Sequence, residues 1–237
     1  MSDESGVGRR AFFKTVGAAA ALPLVSLPSA EAQTHDHGAP PPAPGTAYLF
    51  LTGPEAAFME AAVDVFIPKD DVGPGGVESG CVVFIDRQLA GAWGKGARLY
   101  LQGPFGDSKS EQGYQLPLAP ADLIRIGIAD VDAWCRANRD GRTFTQLTAT
   151  ERDALLKVLI EGGNIELAQV PGRTFTGMLL NATLEGYFAD PIYGGNRDKG
   201  VWKMIGFPGA GGMFAHLIDE YRNKPYTVEP QGIADLG

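Results

Sequence analysis

Few groups in this chain are able to make or break bonds. Its 237 residues hold three histidines and two cysteines. His35, Asp36 and His37 stand close enough to suggest a metal site. Adjacent ligands in a Pro-rich stretch, with no further histidine or cysteine nearby, do not make a coordination sphere. The remaining histidine, His216, reads as a partly buried structural side chain. Acidic residues are plentiful, 28 in all, but most fall at helix starts or on solvent faces, so no pair stands out as general acid and base. The chain has no C-x-x-C-H for covalent haem and no cysteine cluster for iron–sulfur ligation. It also lacks a G-x-G-x-x-G after a strand and a G-x-S-x-G elbow. Residue types thus predict no catalytic, cofactor-binding or metal-binding residue.

Cys81 and Cys135 both fall in helical patterns. Three fates are open to them: a bridge to each other, buried free thiols, or a bridge to another chain.

One segment is compositionally distinct. "EGYFADPIYGGNRDKGVWKMIGFPGA", Glu185 to Ala210, concentrates Tyr187, Phe188, Tyr193, Trp202 and Phe207 with Asp190, Asn196, Arg197 and several turn glycines. It reads either as a long loop folded over the protein's own core or as an ordered surface for a partner. Tyr, Trp and Arg are the usual anchors of such surfaces.

The chain opens with "GRRAFFKTVGAAAALPLVSL" (Gly8–Leu27). Arg9 and Arg10 precede Phe12 and Lys14, then a mildly apolar run that Pro23 interrupts. Ala30-Glu31-Ala32 supplies the small-x-small pattern of a signal peptidase site, which predicts cleavage after Ala32 and a mature start at Gln33. Together these features predict a twin-arginine signal over residues 1–32, and therefore export of a folded protein. Removing residues 1–32 takes away three basic and three acidic groups, leaving the charge unchanged. No later stretch has the ~18 consecutive apolar residues of a membrane helix. The formal net charge of −8 argues against a nucleic-acid partner, because phosphate binding needs a basic stripe and none is present.

Residues 33–45 form a Pro-rich linker, and residues 46–237 one helical domain. "TGPEAAFMEAAVDVFIP" predicts a first helix capped by Thr52 and ended by Pro68, with Phe58, Ala61, Ala62, Val65 and Phe66 on its apolar face. "VESGCVVFIDRQLAGAWG" predicts a second, with Val77, Cys81, Phe84, Ile85 and Leu89 inward and Asp86 and Arg87 off that face. A third starts near Pro120 and buries Leu123, Ile126, Gly127, Val131, Trp134 and Cys135, with Gly141 closing it. Thr148 and Glu151 form a capping box ahead of Leu155, Leu156 and Leu159. "RTFTGMLLNATLEGYF" predicts a fifth helix with Phe175, Leu179, Leu180 and Leu184 inward. Short helices are expected around Trp202–Ile205 and Met213–Tyr221. With 32 glycines and 17 prolines the connections are long and turn-rich. No strand-like alternation is long enough for a sheet. The fold class is mainly α.

Five segments carry a resemblance to a known family: "AAVDVFIPKDDVGPG" (Ala61–Gly75), "FIDRQLAGAWG" (Phe84–Gly94), "QGPF" (Gln102–Phe105), "LTATERDALL", and above all "TLEGYFADPIYGGNRDKGVWKMIGFPGA" (Thr183–Ala210). In these the chain resembles the gluconate 2-dehydrogenase subunit 3 family, the small subunits of membrane-bound flavin-dependent dehydrogenase complexes. The resemblance implies a non-catalytic subunit, an irregular helical domain that packs on a larger one. In such complexes the large subunit holds FAD and oxidises a sugar acid, sugar or polyol, and a multihaem cytochrome c subunit passes electrons to quinone. The small subunit supports folding and export of the large one. The implied partners are therefore the FAD-containing large subunit, the cytochrome c subunit and the twin-arginine export machinery. The implied location is the periplasm, held peripherally at the inner membrane. The segment from Tyr187 to Phe207 is the expected interface. Two other readings stay open: a self-sufficient exported oxidoreductase with an unrecognised site, and a free-standing periplasmic scaffold protein.

Overall fold

The computed structural model describes residues 47–106, 113–210 and 217–236. The expected signal residues Arg9, Arg10, Phe12 and Lys14, the cleavage position after Ala32, the linker and His35, Asp36, His37 and His216 lie outside them, as do residues 213–216 of the short helix expected over Met213–Tyr221. Among the described residues the fold is helical with no strand. Six α-helices follow in order: α1 Gly53–Phe66, α2 Cys81–Ala90, α3 Pro120–Asn138, α4 Ala149–Glu161, α5 Gly172–Phe188 and α6 Gly200–Ile205. No described helix is long and apolar enough to cross a membrane.

α5 is the central element, packed most extensively on α2 and α4. Its Phe175 ring lies 6.2 Å from Phe58 of α1, which in turn lies 4.5 Å from Phe144. A Cβ on Gly127 of α3 would fall 2.1 Å from the Phe175 ring, so α3 crosses α5 where a side chain is missing. Each fully buried Phe or Leu here contributes about 2 kcal/mol by leaving water. An exposed ion pair contributes about 0–1 kcal/mol. The aromatic cluster therefore outweighs the surface charges in holding the fold.

Local signals set the helix starts. Pro54 occupies the first turn of α1, where its missing N–H would have no intrahelical partner anyway. Glu55 accepts from the Thr52 N–H (2.8 Å) and hydroxyl (2.9 Å). Arg125 of α3 donates to the same carboxylate (2.8 Å) and to the Phe50 carbonyl (3.1 Å), with its guanidinium 4.1 Å over the Phe50 ring. Burial acts to raise the Glu55 pKa. The hydrogen bonds from Arg125 and Thr52 outweigh it, and the carboxyl stays below its ordinary value.

The capping box of α4 forms as the sequence predicts. The Thr148 hydroxyl accepts from the Glu151 N–H (3.3 Å), and Glu151 accepts from the Thr148 N–H (2.8 Å). Arg142 adds a two-pronged contact at 3.0 and 2.8 Å. Together Arg142, first, and Thr148 hold the Glu151 carboxyl down to about 2, from an ordinary 4.5. The folded value lies below the unfolded one, so the stabilisation is complete above about pH 4.5 and is lost as pH falls towards about 2. Urea unfolding of the wild type and Glu151→Gln across that range should show their midpoints converging as the pH drops. Parallel midpoints at every pH would contradict this.

Helices α1, α2 and α5 present different faces from those expected; on α1, Phe58 and Ala62 are buried with Met59 and Val63, while Ala61, Val65 and Phe66 stop half-buried. α2 begins at Cys81, four residues after Val77, which is exposed. Gly80 before it is left-handed at φ 84° and lies against the Gly194 carbonyl, 2.6 Å from where a Cβ would be. Asp86, expected off the apolar face, is buried. Its carboxylate accepts from the backbone N–H groups of Leu49 (2.7 Å), Phe50 (2.9 Å) and Leu51 (2.9 Å), pinning the segment that leads into α1. A buried carboxylate is tolerable only with such donors.

On α5, Phe175 and Leu179 are buried as expected, but Leu180 is half-buried and Leu184 exposed. The inward positions are instead Thr176, Ala182, Thr183, Gly186 and Tyr187. α2 approaches so closely that a Cβ on Gly186 would fall 2.9 Å from the Phe84 ring. Size therefore overrides hydropathy. The Thr183 hydroxyl is satisfied by the Leu179 carbonyl at 2.8 Å. In α3, Leu123, Gly127, Val131 and Cys135 are buried as expected. Ile126 and Trp134 stop half-buried at the margin.

Candidate partner-binding face

The segment after α5 turns sharply and repeatedly. It carries 3-10 turns at Pro191–Tyr193 and Arg197–Lys199 before α6. Asn196, Asp198 and Lys199 all have positive φ, at 42°, 57° and 57°. Each such residue without a glycine's freedom costs on the order of 1 kcal/mol or more. Gly195 packs its backbone against α5, so that a Cβ would stand 1.9 Å from the Gly186 carbonyl oxygen. A strained path of this kind persists only if surrounding contacts over-determine it.

Those contacts come from residues that the sequence offered as interface anchors. Asn196 is fully buried. Its side-chain amide donates to the Ala189 carbonyl (3.0 Å) and accepts from the Val201 N–H (3.0 Å), bridging the ends of the loop. Asp190 is buried and accepts from the Ile192 N–H (3.0 Å) and the Ile233 N–H (2.7 Å), tying the C-terminal segment to the loop. That segment is held further by Lys199 on Asp235 and by paired backbone contacts between Pro208–Ala210 and Gln231. Lys199, first, and the Gly232 N–H lower the Asp235 pKa. Trp202 is buried and donates its indole N–H to the Phe188 carbonyl (3.0 Å). Tyr187 is buried, with its hydroxyl donating to the Pro74 carbonyl (2.8 Å). Arg197 is half-buried and fixes the loop to α2's approach through its N–H on the Ser79 carbonyl (3.0 Å). As partner anchors Tyr187, Asp190, Asn196 and Trp202 are corrected to internal supports: the side chains that stiffen a loop compete for the same interior.

What those supports hold outward is apolar. Phe188, Tyr193, Ile205 and Phe207 remain 46%, 43%, 52% and 42% exposed, beside the newly placed Leu184 and Met204. Phe188 meets Tyr187 edge-on at 5.2 Å, and Phe207 meets Trp202 edge-on at 5.1 Å. Phe188 and Phe207 are thus each seated on a buried ring. Sequence reading missed Leu184, Met204 and Ile205. The signal that finds Leu184 is its register about half a turn round the helix from the Phe175–Leu179–Ala182–Gly186 line. Met204 covers Gly73, where a Cβ would fall 2.1 Å from its sulfur. An exposed apolar group held this rigidly is suited to bury surface against another macromolecule at little ordering cost.

Among the described residues no group of three or more His, Cys, Asp or Glu side chains is placed to hold a metal ion. The shifted carboxylates Glu55, Glu151 and Asp235 all move downward, away from the raised value a general acid needs near neutral pH. Cys81 and Cys135 are free and buried. Burial pushes the Cys81 thiol to about 12; burial, then Asp132, pushes Cys135 to about 11. Neither is a nucleophilic thiolate at neutral pH, and full burial keeps both from a partner's thiol in this conformation.

Comparison with known proteins gives one family. The family described as gluconate 2-dehydrogenase subunit 3 matches residues 54–209, from the start of α1 to the end of the strained segment. No curated protein and no solved structure matches the chain. The match covers well over half of the sequence, and the chain belongs to that family.

Proposed function

Taking membership of the gluconate 2-dehydrogenase subunit 3 family as the premise, we propose that this chain is a non-catalytic small subunit of a periplasm-facing, flavin-dependent dehydrogenase complex. Its work is to support folding, twin-arginine export and stability of an FAD-containing large subunit. FAD and c-type haem belong to the partner subunits, the large one and a multihaem cytochrome c. The assembly sits on the periplasmic side of the inner membrane, where the small subunit is held peripherally through the complex. The observation that carries the reading is the concentration of exposed apolar side chains, Phe188, Tyr193, Ile205 and Phe207, on a segment pinned by buried side chains within the region that matches the family.

Export is the separable part. The twin-arginine machinery reads Arg9 and Arg10 on this chain, and the folded large subunit travels with it. Replacing both by lysine should leave the large subunit in the cytoplasm by cell fractionation. Its normal appearance in the periplasm would contradict the shared signal.

A further inference from the structure

α5 has a second outward feature that its own packing does not explain. A groove of about 660 Å³ runs along the helix, with Trp93 and Tyr114 on its wall and Arg173, Gly177, Asn181 and Glu185 along its floor. Gly177 sits within the helix, yet a Cβ there would meet nothing within 4 Å. The other glycines of α5 do have a reason: a Cβ on Gly172 would fall 2.7 Å from Leu159, and one on Gly186 would fall 2.9 Å from Phe84. A glycine in place of alanine inside a helix lowers the helical equilibrium constant by about fivefold. Position 177 bears that loss without any internal contact to require it.

The two ends of the groove are charged. Arg173 and Glu185 are about 18 Å apart along the helix axis at 1.5 Å per residue. Both are exposed, and neither has an ion pair or side-chain hydrogen bond among the described residues. Elsewhere Arg142, Lys157 and Lys199 all find carboxylates. The same helix carries the exposed Leu184 and Phe188 on the side that bears Gly177.

We infer that the groove receives a segment of the flavoprotein large subunit, whose backbone lies over Gly177. That segment carries an acidic group at the Arg173 end and a basic group at the Glu185 end, with apolar side chains against Trp93 and Tyr114. The missing Cβ admits main chain at closer range than any side chain would. The flat indole and phenol rings supply contact area with few rotatable bonds. The inference rests on the reading of this chain as a subunit of that complex, and its test separates the two.

The small subunit is co-expressed with the large subunit, and dissociation of the complex is measured alongside thermal unfolding of the small subunit alone. Gly177→Ala should raise the midpoint of the isolated chain by a few degrees, as expected for an alanine restored to an open helix position. Gly177→Trp should leave the isolated chain folded but weaken the complex at least tenfold. Arg173→Glu with Glu185→Arg should also weaken the complex without lowering the midpoint. A fall in the isolated chain's midpoint on Gly177→Trp would mean that a segment of this chain already fills the groove, and would overturn the inference. So would an unchanged complex in Gly177→Trp while Phe188→Glu weakens it; in that case the subunit reading stands. Failure of the wild type to bind a large subunit at all defeats the subunit reading itself.

Discussion

Asn196→Ala should open the strained loop while the helical core stays folded, at a cost of about 3–5 kcal/mol to the loop. The side chain bridges the Ala189 carbonyl and the Val201 N–H, and Val201 is fully buried. Alanine leaves both groups without a partner, at about 1–3 kcal/mol for the buried Val201 N–H and about 1 kcal/mol for the half-buried Ala189 carbonyl. It also keeps the left-handed backbone that asparagine tolerates better, adding about 1 kcal/mol. Asn196→Gly removes the backbone penalty but not the stranded groups, and should fall between the two. Asn196→Asp retains the acceptor for Val201 but turns a carboxylate towards the Ala189 carbonyl, so it should resemble alanine more than the wild type. The readouts are amide exchange at Val201, which should accelerate by at least two orders of magnitude at that cost, and Trp202 fluorescence, which should shift as its indole loses the Phe188 carbonyl. Far-ultraviolet circular dichroism should barely change. A protected Val201 amide in Asn196→Ala would refute the account of how the loop is held.

The other large effect is on the whole domain. Asp86→Ala should lower the unfolding free energy by about 3–4 kcal/mol. One carboxylate serves three backbone donors, of which the Leu51 N–H is buried and the Leu49 N–H sits beside an exposed side chain. Water replaces the contact at Leu49 at little cost, while Phe50 and Leu51 bear most of the loss. Asp86→Asn keeps an oxygen for Phe50 and Leu51 and gives up only the bond from Leu49, so about 1 kcal/mol is expected. The grading distinguishes a backbone clamp from a merely buried charge: a buried charge without partners would make asparagine neutral or stabilising. Equilibrium urea unfolding of the two variants measures it directly.

Much of the fold is legible in the sequence because its signals are local. Pro54, the Thr148–Glu151 box and the periodic Leu155, Leu156 and Leu159 each act within a turn or two, and the structure follows them. What was not legible depends on distant chain. Asp86 looks like a solvent-facing acid until the Leu49–Leu51 donors arrive from more than thirty residues away. Asp130 behaves likewise, accepting from Gln169 and Val170. Leu184 looks inward on hydropathy alone, until the close approach of Phe84 turns Gly186 inward and leaves Leu184 on the far side of α5. Composition marked the segment from Tyr187 to Phe207 as unusual. It did not separate the buried supports from the exposed rings, since both tasks draw on the same aromatic and amide side chains.

In the proposed function the exposed rings of this segment bind a flavoprotein, and the chemistry lies there. Affinity purification of the full-length small subunit, co-expressed with its large subunit and read by bound flavin absorbance, tests it most directly. The wild type should bring down FAD-containing large subunit in a fixed ratio. A Phe188→Glu/Phe207→Glu variant of unchanged or higher thermal midpoint should bring down less than a tenth as much. Equal recovery of flavoprotein with the folded variant, or oxidation of a sugar acid by the isolated small subunit with an artificial acceptor, would contradict the account.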